Sequence, residues 1–166
     1  IILILAWSLG TINKNLGSAD YIVQFIKNIN LNSGFIPMIA FLLGCIISFS
    51  TGSSWGTYSI MIPIVIPMAV ALNAPLYVTI GSILSGGLFG DHVSPISDTT
   101  ILASAGSGCS HIEHVKTQFY YASINGVISM VTFLIGGFFQ SYLVLAAAIV
   151  LQLTILTVIK IKQGNK

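Results

Sequence analysis

The residues able to do chemistry are concentrated between Ser85 and Ser104. There Asp91, His92, Ser94, Pro95, Ser97, Asp98, Thr99 and Thr100 interrupt sequence that is apolar on both sides. Two of the chain's four carboxylates and six hydroxyl side chains fall in this one stretch. Carboxylates and hydroxyls are hard oxygen donors, suited to a hard cation. If the flanks lie in a bilayer, each charge costs about 2.5 to 3.5 kcal/mol at mid-depth, so an intramembrane Asp is a functional residue by default. A second polar island, Gly52-Ser53-Ser54-Trp55-Gly56-Thr57, places three hydroxyls and flexible backbone between two further apolar runs.

Composition identifies the surroundings as a membrane. Hydrophobic residues make up 55% of the 166, charged residues only 6%, and the mean hydropathy is +0.95. Soluble domains carry roughly 25% charged residues. Four acidic residues and six lysines could not solvate the surface of a soluble core. With no arginine and scattered lysines, the net charge of +2 gives no reason to expect nucleic acid. Cys45 and Cys109 have no metal or disulfide spacing, and no cofactor is expected.

The elements follow from apolar runs and breakers. Residues 1–10 read as the end of a helix, with Trp7 as an interfacial anchor. That opening makes the chain a C-terminal portion, or a half that must pair with a missing N-terminal half. Residues 18–27 have Ile22, Phe25 and Ile26 at helical spacing and suit a short interfacial helix. Residues 35–72 form two apolar limbs of about 15 residues, each roughly 22 Å long against ~30 Å of hydrocarbon. A re-entrant hairpin with its tip at 52–57 fits those lengths. Two full spans fit if the limbs borrow residues from the tip. Residues 76–105 read as one crossing broken in the middle, 106–116 as a polar loop, and 119–138 and 143–161 as transmembrane helices.

The break has a chemical cause. Pro95 removes a backbone donor and pushes Ser94 out of helical geometry, and Gly90 permits unusual dihedrals. Gly52 and Gly56 do the same for the hairpin tip. Asp91 then falls just past the first half-helix, where a negative charge opposes the macrodipole and calls for a cation or proton. Asp98 stands at the N-cap position of the second half, so it is a cap or a ligand. Ser97, Thr99 and Thr100 divide the same way. His92 is a proton relay or a satisfied polar residue, and the tip at Trp55 is an ion site or a plain turn. His111-Ile112-Glu113-His114 does not match a zinc pattern and reads as solvated loop. Gly81, Gly86 and Gly87 read as close-packing positions.

Two ordered motifs resemble a known family. Thr51-Gly52-Ser53-Ser54-Trp55-Gly56-Thr57 with Ile62-Pro63-Ile64, followed by Phe89-Gly90-Asp91-His92-Val93-Ser94-Pro95-Ile96-Ser97-Asp98-Thr99-Thr100-Ile101-Leu102, resembles the NhaC-type sodium/proton antiporters. The resemblance extends from Ala6 to about Ala122. It implies an all-α polytopic fold of two inverted halves, each giving a re-entrant hairpin and a discontinuous helix to a midplane site, with this chain as the second half. It also implies that the hydroxyl-rich tip, Asp91 and the Ser94–Thr100 run are signature positions. Similar proteins include exchangers of organic acids.

The leading expectation is exchange of Na+ for H+ by alternating access, without enzymatic turnover. Asp91, with Asp98 second, would hold a proton or a sodium ion. Ser53, Ser54, Thr57, Ser94, Ser97 and Thr99 would complete the oxygen shell. Alternatives are a malate/lactate-type organic-anion exchanger and, from another class, an intramembrane aspartyl hydrolase using Asp91 and Asp98. Lysine placement puts the C-terminal tail of a plasma-membrane protein in the cytoplasm, with Lys116, Lys160, Lys162 and Lys166 inside and Lys14 and Lys27 outside. The expected partners are Na+, H+ and the lipid bilayer, with a homo-oligomer left open.

Overall fold

The computed structural model describes residues 31–164, together with Ser8, Thr11, Ile12, Asn15, Leu16, Gly17, Tyr21, Val23, Gln24 and Asn28. The helix end at 1–10 and the interfacial helix at 18–27 fall, apart from single residues, outside the described residues. Among the described residues there is no strand. A 3-10 turn, Ser33–Phe35, leads into α1 (Ile36–Thr51) and α2 (Ser54–Ala71). Then come α3 (Leu76–Val93), α4 (Asp98–Gly106), α5 (His111–Phe139) and α6 (Tyr142–Gly164). Ser33–Thr51, Ser54–Ala71, His111–Phe139 and Tyr142–Ile161 are each long and apolar enough to cross a membrane. The chain is an all-α, multi-pass membrane protein.

The limbs around the tip do borrow its residues. Ser50 and Thr51 remain in α1 and Ser54 to Thr57 open α2, leaving only Gly52 and Ser53 between them. The hydroxyls make this possible by donating to carbonyls within the helices. Ser50 Oγ lies 2.8 Å from the Ile46 oxygen, Thr51 Oγ1 2.9 Å from that of Ile47 and Thr57 Oγ1 2.9 Å from that of Ser53. A serine or threonine satisfied in this way need not leave the helix, even in lipid. Gly56, expected as a breaker, sits in the first turn of α2, its N–H donated to Ser53 Oγ at 3.2 Å. Helix α2 also continues through Pro63 and Pro67.

The helix α3 is central, packing on α1, α2 and α5. Its polar residues Thr79 and Ser82 are fully buried and donate to the carbonyls of Pro75 (2.9 Å) and Thr79 (2.7 Å). The face of α2 that meets the core carries Thr57, Met61, Val65 and Met68, at helical spacing. With Ile36, Ala40, Ala69, Ala74 and Ile83 these apolar residues form the hydrophobic core.

Between α1 and α3 the backbones almost touch. A Cβ at Gly86 would run into the carbonyl of Phe41, and one at Gly44 would stand 3.2 Å from the Gly87 nitrogen. Gly90 faces the Cys45 carbonyl and lies against Ser48 and Phe49. The Ser48 hydroxyl donates across this seam to the Gly87 carbonyl. Small residues that let backbones approach are how helices associate in lipid, where water gives no hydrophobic drive between them. Gly86 and Gly87 therefore serve the packing role expected of them, while Gly81 meets only the Phe133 ring at 3.9 Å. Gly90 is a packing residue inside α3 and not part of the break.

Helix α5 begins eight residues earlier than the apolar run that signals it. The polar loop is only Ser107–Ser110, because Glu113 lies in the first turn, where the helix dipole favours an acid, and pairs with Lys116 at 3.0 Å. On α6, Leu143, Leu145, Ile149, Val150, Leu151 and Leu153 are exposed.

Substituting Gly90 by Ala is expected to destabilise the fold by about 1 to 3 kcal/mol, since the Cβ meets backbone and cannot be relieved by a side-chain rotation. Chemical or thermal unfolding of the purified protein in detergent measures this. An unchanged midpoint would contradict the packing described for the seam.

Candidate functional site

Helix α3 does not end at Gly90. It runs to Val93, so Asp91 stands in its last turn and not beyond it. The interruption begins where Pro95 forces Ser94 into an extended conformation (φ −74°, ψ 127°), and it ends at Ser97, also extended (φ −67°, ψ 133°). Four residues, Ser94 to Ser97, thus lie between the two helices, with the Ser97 carbonyl accepting the first bond of α4 from Ile101.

These residues find partners on the hairpin tip and on each other. The Ser94 hydroxyl donates to the carbonyl of Phe49 at 2.8 Å. Gly52 closes α1 in the left-handed region (φ 63°), and a Cβ there would stand 2.8 Å from the Ile96 carbonyl oxygen. Only glycine combines that dihedral with that approach. Across the break, Thr100 Oγ1 donates to the His92 carbonyl at 3.4 Å, taking up one acceptor left over at the end of α3. The hairpin tip and the helix break are one contact region.

Asp91 is 5% exposed, and its Oδ1 accepts a hydrogen bond from Ser97 Oγ at 2.7 Å. Ser97 Oγ is also 2.8 Å from Thr99 Oγ1. A hydroxyl has one proton. With the Ser97 proton given to Asp91, the Thr99 hydroxyl must donate to Ser97. The result is a directed chain from exposed Thr99, through buried Ser97, to the buried carboxylate.

Asp98 is in a different situation. It is the first residue of α4, exposed, and its Oδ1 accepts from the Thr99 backbone N–H at 2.8 Å. The N-cap position itself belongs to Ser97, whose side chain is turned to Asp91 instead. An acid in the first turn suits the positive end of the helix dipole. His92 is exposed. At the tip, Ser53 Oγ caps α2 and Thr57, fully buried, bonds the Ser53 carbonyl, while Ser54 is half-buried. The structure therefore brings Asp91, Ser97 and Thr99 together, ties Ser94 to the hairpin tip, and leaves Asp98 and His92 facing outward.

Two side chains near the break are not among the site residues that the sequence suggests. His111 opens α5, and its Nε2 lies 2.7 Å from the Pro95 carbonyl, with Nδ1 3.1 Å from Ser104 Oγ. It is half-buried and tied into the break, which corrects its reading as a solvated loop residue. Gln118 carries a buried Oε1 with no hydrogen-bond partner among the described residues. Contacts of Gly136 with Val78, Phe133 with Gly81 and Gly126 with Phe89 run antiparallel, which sets Gln118 at the level of the break. Helical spacing along α5 was the only available signal for either residue, and a polar sequence start hid it. No cluster of three or more His, Cys, Asp or Glu side chains that could hold a metal ion occurs among the described residues.

A central helix interrupted beside a buried carboxylate is an arrangement also found in secondary transporters built on discontinuous helices. The chain is a member of the Na+/H+ antiporter family, whose model matches residues 1–138. It is 39% identical over 157 residues to an uncharacterized protein of Haemophilus influenzae, covering 93% of this chain and 30% of that one. It is also 39% identical over 104 residues to the malate-2H(+)/Na(+)-lactate antiporter of Bacillus subtilis, covering 62% of this chain and 22% of that one. To the Na(+)/H(+) antiporter NhaC of Bacillus subtilis it is 35% identical over 97 residues, covering 58% and 20%. The chain thus spans between a fifth and a third of the length of these relatives. No solved structure matches.

Replacing Ser94 by Ala should cost about 1 to 3 kcal/mol, because it strands the Phe49 carbonyl as well as removing a bond. It should also speed amide hydrogen exchange through residues 94–97. Asp98→Asn, on an exposed first turn, should change neither quantity appreciably. Equal effects of the two substitutions would contradict the division drawn between them.

Proposed function

We propose that this chain forms part of a membrane transporter that exchanges Na+ for H+ by alternating access, with Asp91 as the group that holds one or the other. The observation that carries this reading is the burial of Asp91 at a helix break, with a hydroxyl chain leading outward from it. A carboxylate so placed must be neutralised, by a proton or by a cation. Because one oxygen set serves both, binding of either displaces the other, and that exclusion couples the two fluxes. Sodium, as a hard cation, would draw its oxygens from Asp91, Ser94, Ser97 and Thr99. Ser53, Ser54, Thr57, His92 and Asp98 are peripheral to that set.

A full site requires a second half with its own hairpin and broken helix, related by inversion, and the 20 to 30% of each relative's length matched here leaves room for one. The hairpin α1–α2 either dips into the membrane and returns or crosses it twice, since each limb with its borrowed residues is long enough to span; both routes bring the chain back to the side it came from. The C-terminal tail of the protein lies on the cytoplasmic side of the plasma membrane, in keeping with the lysine placement.

The similarity to a malate-2H(+)/Na(+)-lactate antiporter supports a second reading, in which an organic anion shares the cycle with Na+ or H+. The aspartyl hydrolase reading has less support. Asp91 is bonded to Ser97 and Asp98 to its own helix, so nothing joins them as a proton-sharing dyad.

In vesicles containing the full-length protein, Asp91→Asn should abolish sodium-dependent proton movement while leaving membrane insertion intact. Wild-type exchange by that variant would sink the assignment. Malate uptake driven by a sodium gradient, with no exchange in its absence, would decide for the organic-anion reading.

A further inference from the structure

His111 has a hydrogen-bonding arrangement that remains complete in both protonation states of its ring. The Pro95 carbonyl can only accept, so Nε2 must carry a hydrogen. The Ser104 hydroxyl, 2% exposed, is within reach of two acceptors: the Ile101 carbonyl at 2.8 Å and His111 Nδ1 at 3.1 Å. When the imidazole is neutral with its hydrogen on Nε2, Nδ1 has a lone pair and the Ser104 proton turns to it. When the ring is charged, Nδ1 donates to Ser104 Oγ and the Ser104 proton turns to Ile101. The single hydroxyl rotor lets the ring gain or lose a proton without releasing Pro95.

We propose that His111 is a positioning residue that clamps the Pro95 carbonyl throughout and places a pH-dependent positive charge beside the break. Pro95 lies two residues before Ser97, the direct partner of Asp91. A charge gained there on acidification tightens the Pro95 bond, since charged donors bond more strongly. It also opposes a second cation at Asp91. Titratable groups on the elements that meet at this corner are Asp91 and His92 on α3, Asp98 on α4, Cys109 in the loop and Glu113, His114 and Lys116 on α5, with Tyr58 of α2 interacting with Asp91. Both ring nitrogens of His111 are taken by uncharged partners, and Glu113 is paired with Lys116.

This rests on the exchange reading only in its transport arm. Ring-nitrogen NMR of the full-length protein labelled with 15N-histidine, with signals assigned by His111→Gln, tests the clamp directly. Nε2 should keep its hydrogen as the pH is lowered, while Nδ1 gains one. A neutral ring with its hydrogen on Nδ1, or a ring whose protonation never changes with pH, would overturn the proposal. In vesicles, the sodium concentration for half-maximal exchange should rise on acidification in wild type. In His111→Gln, whose amide can still donate to Pro95, the rise should be smaller by on the order of fivefold, the scale of one charge acting through protein at short range. The same rise in both proteins would also overturn it. If wild type shows no exchange at all, the functional reading fails and the NMR result decides the clamp by itself.

Discussion

In a bilayer, backbone that leaves the helix must find its hydrogen-bond partners inside the protein. This chain leaves the helix at Gly52–Ser53 and again at Ser94–Ser97, and it lays these two departures against each other. Ser94 serves the end of α1, Gly52 makes room for Ile96, and Thr100 and Ser97 close the break from within. Neither irregular segment would be tolerable in lipid alone. Their mutual contact is what permits a buried carboxylate to sit at an interruption instead of in a regular helix, and everything chemical in the chain lies within a turn or two of it.

Much of this was legible in the residues. Proline after Ser94 and a dense run of hydroxyls located the break to within a few positions, while the meeting of the two polar islands was an implication of the family resemblance. The errors have one physical origin. Polar residues and glycines were read as signs of non-helical chain, yet in an apolar setting serine and threonine satisfy themselves on the preceding turn, and glycine is a way to bring helices together. Hence α1 absorbed Ser50 and Thr51, α2 absorbed Ser54 to Thr57, and α3 passed straight through Gly90 to Val93. The early start of α5 has the same explanation in reverse: Glu113 and Lys116 are good helix formers whose polarity concealed them.

The two aspartates show what local sequence can and cannot decide. Both stand next to helix ends, Asp98 between two hydroxyl residues and Asp91 between Gly90 and His92. Their separation into a buried acid and an exposed one depends on which way the chain turns between them, and that turn is set by tertiary partners of Ser94 and Ser97 on other segments. Position 111 is similar. Its value lies in reaching a carbonyl sixteen residues away, a relation that no periodicity encodes.

The glycine seam has a mechanical meaning as well. Phe41, Gly44, Cys45 and Ser48 on α1 fit Gly86, Gly87 and Gly90 on α3 with no side-chain cushion between the backbones. Sliding one helix along the other would drive Cβ atoms into peptide groups and break the Ser48 and Ser94 bonds together. The pair therefore behaves as a single strut. Any conformational cycle that opens the Asp91 region first to one side of the membrane and then to the other has to hinge at its outer faces, leaving the join between tip and break intact while it is carried along.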